Sequence, residues 1–167
     1  MRITVKKGKG NFHKKLSGLK KLGKQSVAAG HFAEQGQHKT IDMSYVDLMK
    51  FHEKGGVSKD GVSSPSRPVM AHMLTWGTKA AVNSKAVRSA FIEWSEGRLS
   101  NEGFFSRVGV SMVQVEKGVF GKAGPLLKNA RLTIAMKPQG NDPLIDTGDL
   151  IDHVAYRTSI SKAIKYV

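Results

Sequence analysis

Phe104, Phe105, Val108, Met112, Val115, Val119 and Phe120 recur at close to the period of about 3.6 residues that defines one face of an α-helix. No other feature constrains the fold as much, because a long apolar stripe is stable in water only when a second element covers it. The segment starts after Ser100 or Asn101. Leu126, Leu127, Ala130 and Ile134 carry the stripe on to Pro138, with Pro125 predicted to kink or split the helix by clashing with the preceding turn. Upstream, helical patterning runs from about Val69 to Gly97. Met70, Met73, Leu74, Ala81, Val87, Phe91 and Trp94 are its candidate buried positions, and Gly77 is a candidate kink. The two segments are expected to pack as a helical hairpin.

Shorter elements surround them. Residues 2 to 6 alternate Ile3 and Val5 with polar neighbours, and residues 26 to 34 also read as a strand. Residues 152 to 160 place Val154, Tyr156 and Thr158 on one strand face and Ala155, Arg157 and Ser159 on the other. Gln35 to Thr40 reads as a turn, and Asp42 or Ser44 caps a helix whose Tyr45, Leu48, Met49 and His52 line the side expected to meet a sheet. Gly55-Gly56 ends that helix. Serine, glycine and proline dominate from Val57 to Pro68, which predicts a mobile loop with Ser66 and Arg67 extended beside their prolines. The pattern predicts an α+β fold, a small mostly antiparallel sheet packed with two long helices. Residues 25 to 167 form its single domain, behind a basic N-terminal arm over residues 1 to 24.

The arm carries much of an uneven charge. The chain has a formal net charge of +14, and Arg2, Lys6, Lys7, Lys9, Lys14, Lys15, Lys20, Lys21 and Lys24 all precede the first acid, Glu34. Phe12, Leu16, Leu19 and Leu22 share one face of a helix within the arm, which Gly18 and Gly23 weaken by roughly 1 kcal/mol each. Such a helix is expected to order in contact with something else. The basic residues point either to nucleic-acid phosphates or to an acidic partner protein. Phe12 is the only aromatic in the arm, so any nucleic-acid contact is expected to be sequence-independent and weakened by salt.

Composition removes several function classes. The absence of cysteine excludes a disulfide framework, a thiolate metal site and a cysteine nucleophile. No apolar run approaches the ~20 residues that span a bilayer, and Met1 to Lys7 lacks the apolar stretch of a secretory signal, so the chain is expected to stay in the cytosol. His13, His31, His38, His52, His72 and His153 match no metal-ligand spacing. Asp142, Asp146, Asp149 and Asp152 form the densest acidic cluster, the one place where a divalent cation could be held as in a nuclease. No nearby glutamate closes a calcium loop, and capping and turn roles are favoured, with Asp146 or Thr147 as the N-cap of a short helix. Gly8-Lys9-Gly10 lacks the spacing of a phosphate loop, and no serine lies in a nucleophile elbow. Neither an enzyme nor a cofactor is expected.

Three ordered segments carry a resemblance. Pro143-Leu144-Ile145-Asp146-Thr147-Gly148-Asp149-Leu150, followed by a strand with Tyr156-Arg157, resembles the C-terminal signature of tailed-phage tail-completion and head-to-tail joining proteins. Tyr45 to Gly56 is similar to that family's helix ending in a glutamate before glycine, and Ser64-Pro65-Ser66-Arg67-Pro68-Val69 to its proline, small residue, arginine, proline, apolar segment. The sequence departs from the pattern at Val69, where an aromatic is frequent, and at Asp149, where a basic or amide residue is frequent. The resemblance implies a non-catalytic virion subunit of the neck or tail top, with Pro65, Arg67, Pro68, Asp146, Thr147, Gly148 and Leu150 as its structural motif residues. It further implies a homo-oligomeric ring, hexamer favoured over dodecamer, meeting connector and tail-terminator or tail-tube proteins, with genomic DNA in the lumen. The alternative is a stand-alone, sequence-independent nucleic-acid-binding protein.

Overall fold

The computed structural model describes residues 11–57, 61, 63–121, 123–129, 135 and 142–167, with side chains from Leu16 onward. The strand expected over residues 2 to 6 lies outside them, as do Ala130 and Ile134 of the helical stripe.

The fold is α+β. Strand β1 (Val27–Gly30) pairs antiparallel with β4 (Ala155–Thr158), Val27 opposite Thr158 and Gly30 opposite Ala155, and β4 pairs in turn with β5 (Lys165–Tyr166). The strand expected over residues 26 to 34 is therefore shorter. It stops at Gly30, whose φ of +132° leaves the extended region, and Ala33–Gln35 forms a 3₁₀ turn. Likewise the strand expected from Asp152 begins only at Ala155, because residues 149 to 152 form a helical turn. Val154, Tyr156 and Thr158, expected on one strand face, are buried, and Ala155 of the other face is buried as well.

Helix α1 (Asn11–Leu22) precedes the sheet, and α2 (Tyr45–Lys54) follows the 3₁₀ turn. Ser44 caps α2 by accepting the Asp47 N–H at 3.1 Å, and Gly55 ends it. Tyr45, Leu48 and Met49 are buried, but α2 packs mainly against the 3₁₀ turn and α3 (Val69–His72) rather than on a sheet face. Leu16 and Leu19, on the apolar face of α1, are exposed. α1 instead meets the body through Gly18, above the Trp94 ring, and through Leu22.

The helical hairpin is present with different boundaries. Patterning from Val69 to Gly97 predicted one helix. Instead α3 widens into a π turn (Met73–Gly77) and runs into α4 (Thr78–Val82), and a new helix, α5 (Lys85–Ser95), starts where Ser84 caps it by accepting the Val87 N–H. Gly77, at helical φ −62° and ψ −45°, closes the π turn, with the Thr78 hydroxyl bonded to the Met73 carbonyl at 2.9 Å. Leu74 is 82% exposed and Phe91 44%, so neither belongs to the core. Gly97, at φ +80°, reverses the chain into α6 (Asn101–Lys117), capped by Ser100. Val87 and Ala90 of α5 pack against Phe104 and Val108 of α6.

α6 does not continue to Pro138. It stops at Gly118, and Val119 and Phe120 are buried by a turn in which their N–H groups bond the Glu116 and Lys117 carbonyls. Pro125 lies beyond the helix and kinks nothing. α6 packs on β1 and β4 with one side and on α4 and α5 with the other. Its contact with the sheet is closest at Gly109, where the Tyr156 ring occupies the space a Cβ would need.

Candidate functional site

The three segments that carry the resemblance meet in space. Segment 63 to 68, expected as part of a mobile loop, contains β3 (Ser63–Ser64), paired with β2 (Gly56–Val57), and residues that are tied down. The Arg67 N–H donates to the His52 carbonyl at 2.7 Å and the Ser66 hydroxyl to the Glu53 carbonyl at 2.7 Å. The Glu53 carboxylate accepts the N–H groups of Met70 and Ala71, both at 2.9 Å, satisfying the free donors at the start of α3 just after Pro68. Gly55 makes the approach feasible: its φ is +71° and a Cβ there would lie 2.7 Å from the Ser66 nitrogen. A helix ending in glutamate before glycine is thus the receptor for the proline, serine, arginine, proline segment.

The third segment closes on the same helix. Helix α7 (Asp149–Asp152) is the short helix expected after the aspartate, threonine, glycine run, but its N-cap is Gly148 at φ +86° rather than Asp146 or Thr147. Thr147 contributes a long 3.4 Å contact from the Asp149 N–H to its hydroxyl, and Leu150 is buried. The Tyr45 hydroxyl at the start of α2 donates to Asp149 Oδ2 at 2.7 Å.

Asp149 is the hub of a cluster the sequence did not reveal. Lys39 Nζ lies 2.9 Å from Oδ1, and His38 Nε2 lies 3.3 Å from Oδ2. His153 stacks on Tyr45 with ring centroids 4.0 Å apart, and its Nδ1 sits 2.7 Å from the Asp149 carbonyl. His31 donates to the Leu150 carbonyl at 2.8 Å. Burial opposes ionisation of Asp149, yet the hydrogen bonds from Lys39 and Tyr45 outweigh it and hold its carboxyl at about 2. Burial, reinforced by the Asp149 hydrogen bond, pushes the Tyr45 phenol up to about 12. Burial likewise lowers the His31 pKa, favouring the neutral ring. The histidines are more than a hundred residues from one another at the extremes, so linear spacing held no signal. The four aspartates do not converge, and among the described residues no group of three or more histidine and carboxylate side chains is placed to hold a metal.

A folded-state pKa below the unfolded value contributes stability that is present above about pH 4 and lost as pH falls through about 2. Asp149→Ala strands the Tyr45 hydroxyl and His38, and it is expected to cost about 3 kcal/mol at pH 7. That cost is expected to shrink toward pH 2, as measured by denaturant unfolding at the two pH values.

Between α2, segment 63 to 67, residues 127 to 129 and the 144 to 150 turn lies a cavity of about 440 Å³. Pro65, Arg67, Asp146, Thr147, Gly148 and Leu150 all line it, and Pro68 adjoins it at the foot of α3. Arg67 is only 6% exposed, with its guanidinium bonded to Asn129 Oδ1 at 2.9 Å and to the Leu127 carbonyl at 3.3 Å.

The basic arm is a separate surface. Lys20, Lys21 and Lys24 are exposed on and just after α1, with no ion pair among the described residues. Arg2, Lys6, Lys7 and Lys9 lie outside the described residues, as do the side chains of Lys14 and Lys15. No helix among the described residues is long and apolar enough to cross a membrane. Comparison with family models, curated proteins and solved structures finds no match to this chain.

Proposed function

We propose that the protein is a structural subunit of a tailed-phage virion, a ring-forming component of the neck or tail top that joins head to tail. The observation carrying this reading is the convergence of three sequence segments, recognised separately in the chain, on one interlocked cluster. Glu53 seats the segment around Arg67 and Pro68, and Tyr45 binds Asp149 beside Gly148. Chance matches have no reason to touch, whereas the signature of a shared fold does.

Surface features support the assembly. β1 and β5 are the edges of the three-stranded sheet, and a neighbouring subunit covers such edges by adding a strand. Leu74, Trp76, Phe91 and Ile92 are exposed apolar residues of the helical layer, suited to burial between subunits. Head-to-tail contacts of this kind close into cyclic rings. The implied partners are other copies of the chain, the connector and the tail-terminator or tail-tube proteins, with DNA passing through the lumen.

The exposed Lys20, Lys21 and Lys24 favour a second reading, sequence-independent nucleic-acid binding. Sedimentation and duplex-DNA titration separate the two. Self-association into a discrete oligomer, with weak DNA affinity, supports the virion subunit. A monomer that binds DNA tightly, with affinity falling steeply with salt and lost on neutralising Lys14, Lys15, Lys20 and Lys21, supports the alternative.

A further inference from the structure

Arg67 is a buried cation with no anion beside it among the described residues. Its guanidinium bonds two neutral acceptors, and no carboxylate lies within ion-pair distance among the described residues. A desolvated charge is costly unless paired, and burial correspondingly lowers the guanidinium pKa. Next to it, the Asn129 side-chain nitrogen is buried with no acceptor, although the oxygen of the same amide is bonded to Arg67. An uncompensated charge on Arg67 and an unpaired amide nitrogen on neighbouring Asn129 therefore sit among the residues that line the cavity. Asp149, which also lines the cavity, is already engaged by Lys39 and Tyr45.

We propose that this cavity is a receptor for a carboxylate, and that its occupant is the glutamate or aspartate side chain of a neighbouring virion protein. One carboxylate answers both, accepting with one oxygen from the guanidinium N–H groups that Leu127 and Asn129 leave over and with the other from the Asn129 amide. Ile41, Leu48 and Leu144 on the cavity walls suit the methylene stem of such a side chain. Asp146, exposed at the rim, disfavours a doubly charged phosphate more than a singly charged carboxylate. A chain of net charge +14 also favours an acidic partner surface. The identity of the occupant rests on the virion reading, but the carboxylate chemistry of the cavity does not.

The test is a titration of the full chain with glutarate, and separately with inorganic phosphate, at constant ionic strength, followed by ¹⁵N NMR of the arginine Nε and asparagine side-chain signals. Saturable shifts at Arg67 and Asn129 with glutarate, several-fold weaker ones with phosphate, and loss of both in Arg67→Gln are expected. Arg67→Lys keeps the charge but loses the fork, and it is expected to bind glutarate more weakly than the wild type. Asn129→Leu, which leaves Arg67 in place, provides a second variant should Arg67→Gln fail to fold, and it too is expected to weaken glutarate. Shifts that do not saturate, that match or favour phosphate, or that survive in every variant overturn the proposal. A protein that binds glutarate yet stays monomeric even beside connector and tail-tube proteins refutes the assembly reading alone, and a ring that ignores glutarate refutes the cavity alone.

Discussion

Glu116→Met is expected to stabilise the protein by about 4 kcal/mol at pH 8 and to flatten its stability between pH 5 and pH 8. Glu116 is 1% exposed near the end of α6, and neither carboxylate oxygen has a hydrogen-bond partner. Its Oε1 lies beneath Gly30 of β1, in a space shared with the Met70 methyl. Burial alone pushes the carboxyl up to about 8. A group whose folded pKa exceeds its unfolded value contributes fully below the unfolded value, near pH 4.5, and the contribution is lost as pH rises through about 8. The wild type should therefore weaken steadily across that window. Methionine has similar reach and no charge to desolvate, so it fills the same space without the titration. Denaturant unfolding at several pH values measures the effect, and a wild-type curve flat from pH 5 to 8 would falsify it.

Gly109→Val is the opposite case, an expected loss of about 3 kcal/mol. A Cβ at this position would lie 2.7 Å from Cε2 of Tyr156 and closer still to its Cγ. The ring has little room to retreat, since Tyr156 is buried in the central strand of the sheet and sits in the main apolar core. Gly109→Ala gains up to about 1 kcal/mol of helix propensity, yet it meets the same ring and is still expected to destabilise. Placing either change in a Tyr156→Leu background should recover much of the loss. Additivity of the two substitutions in thermal melts would show that the contact is not the cause.

Local signals in the sequence were faithful where a single residue sets the backbone. Ser44 and Ser100 cap the helices they precede, and Gly55 and Gly97 end theirs. The strand near residue 30 and the C-terminal strand were also legible, each from its own pattern of apolar residues, and the two pair antiparallel. Boundaries failed where a local signal had competitors. The stripe from Phe104 continues through Val119 and Phe120, so periodicity overran Gly118, although those two residues are buried by a turn rather than by a helix. Ser84 was a cap hidden inside a stretch of helical patterning.

The site was half visible. Motif residues from Pro65 to Leu150 do line one cavity, but Asn129, Lys39, His38 and His153 join it or its hub through contacts spanning tens of residues. Long-range polar pairing leaves no periodic trace. Glu116 did leave one, four residues after Met112 on the buried side of α6, where a charged residue conflicts with the stripe.

The central claim is assembly, and negative-stain imaging tests it most directly, on the purified protein alone and mixed with connector and tail-tube proteins. Closed rings of uniform diameter, formed alone or on addition of those partners, are the predicted result. Isolated monomers under both conditions, at concentrations where the protein stays folded, would contradict it.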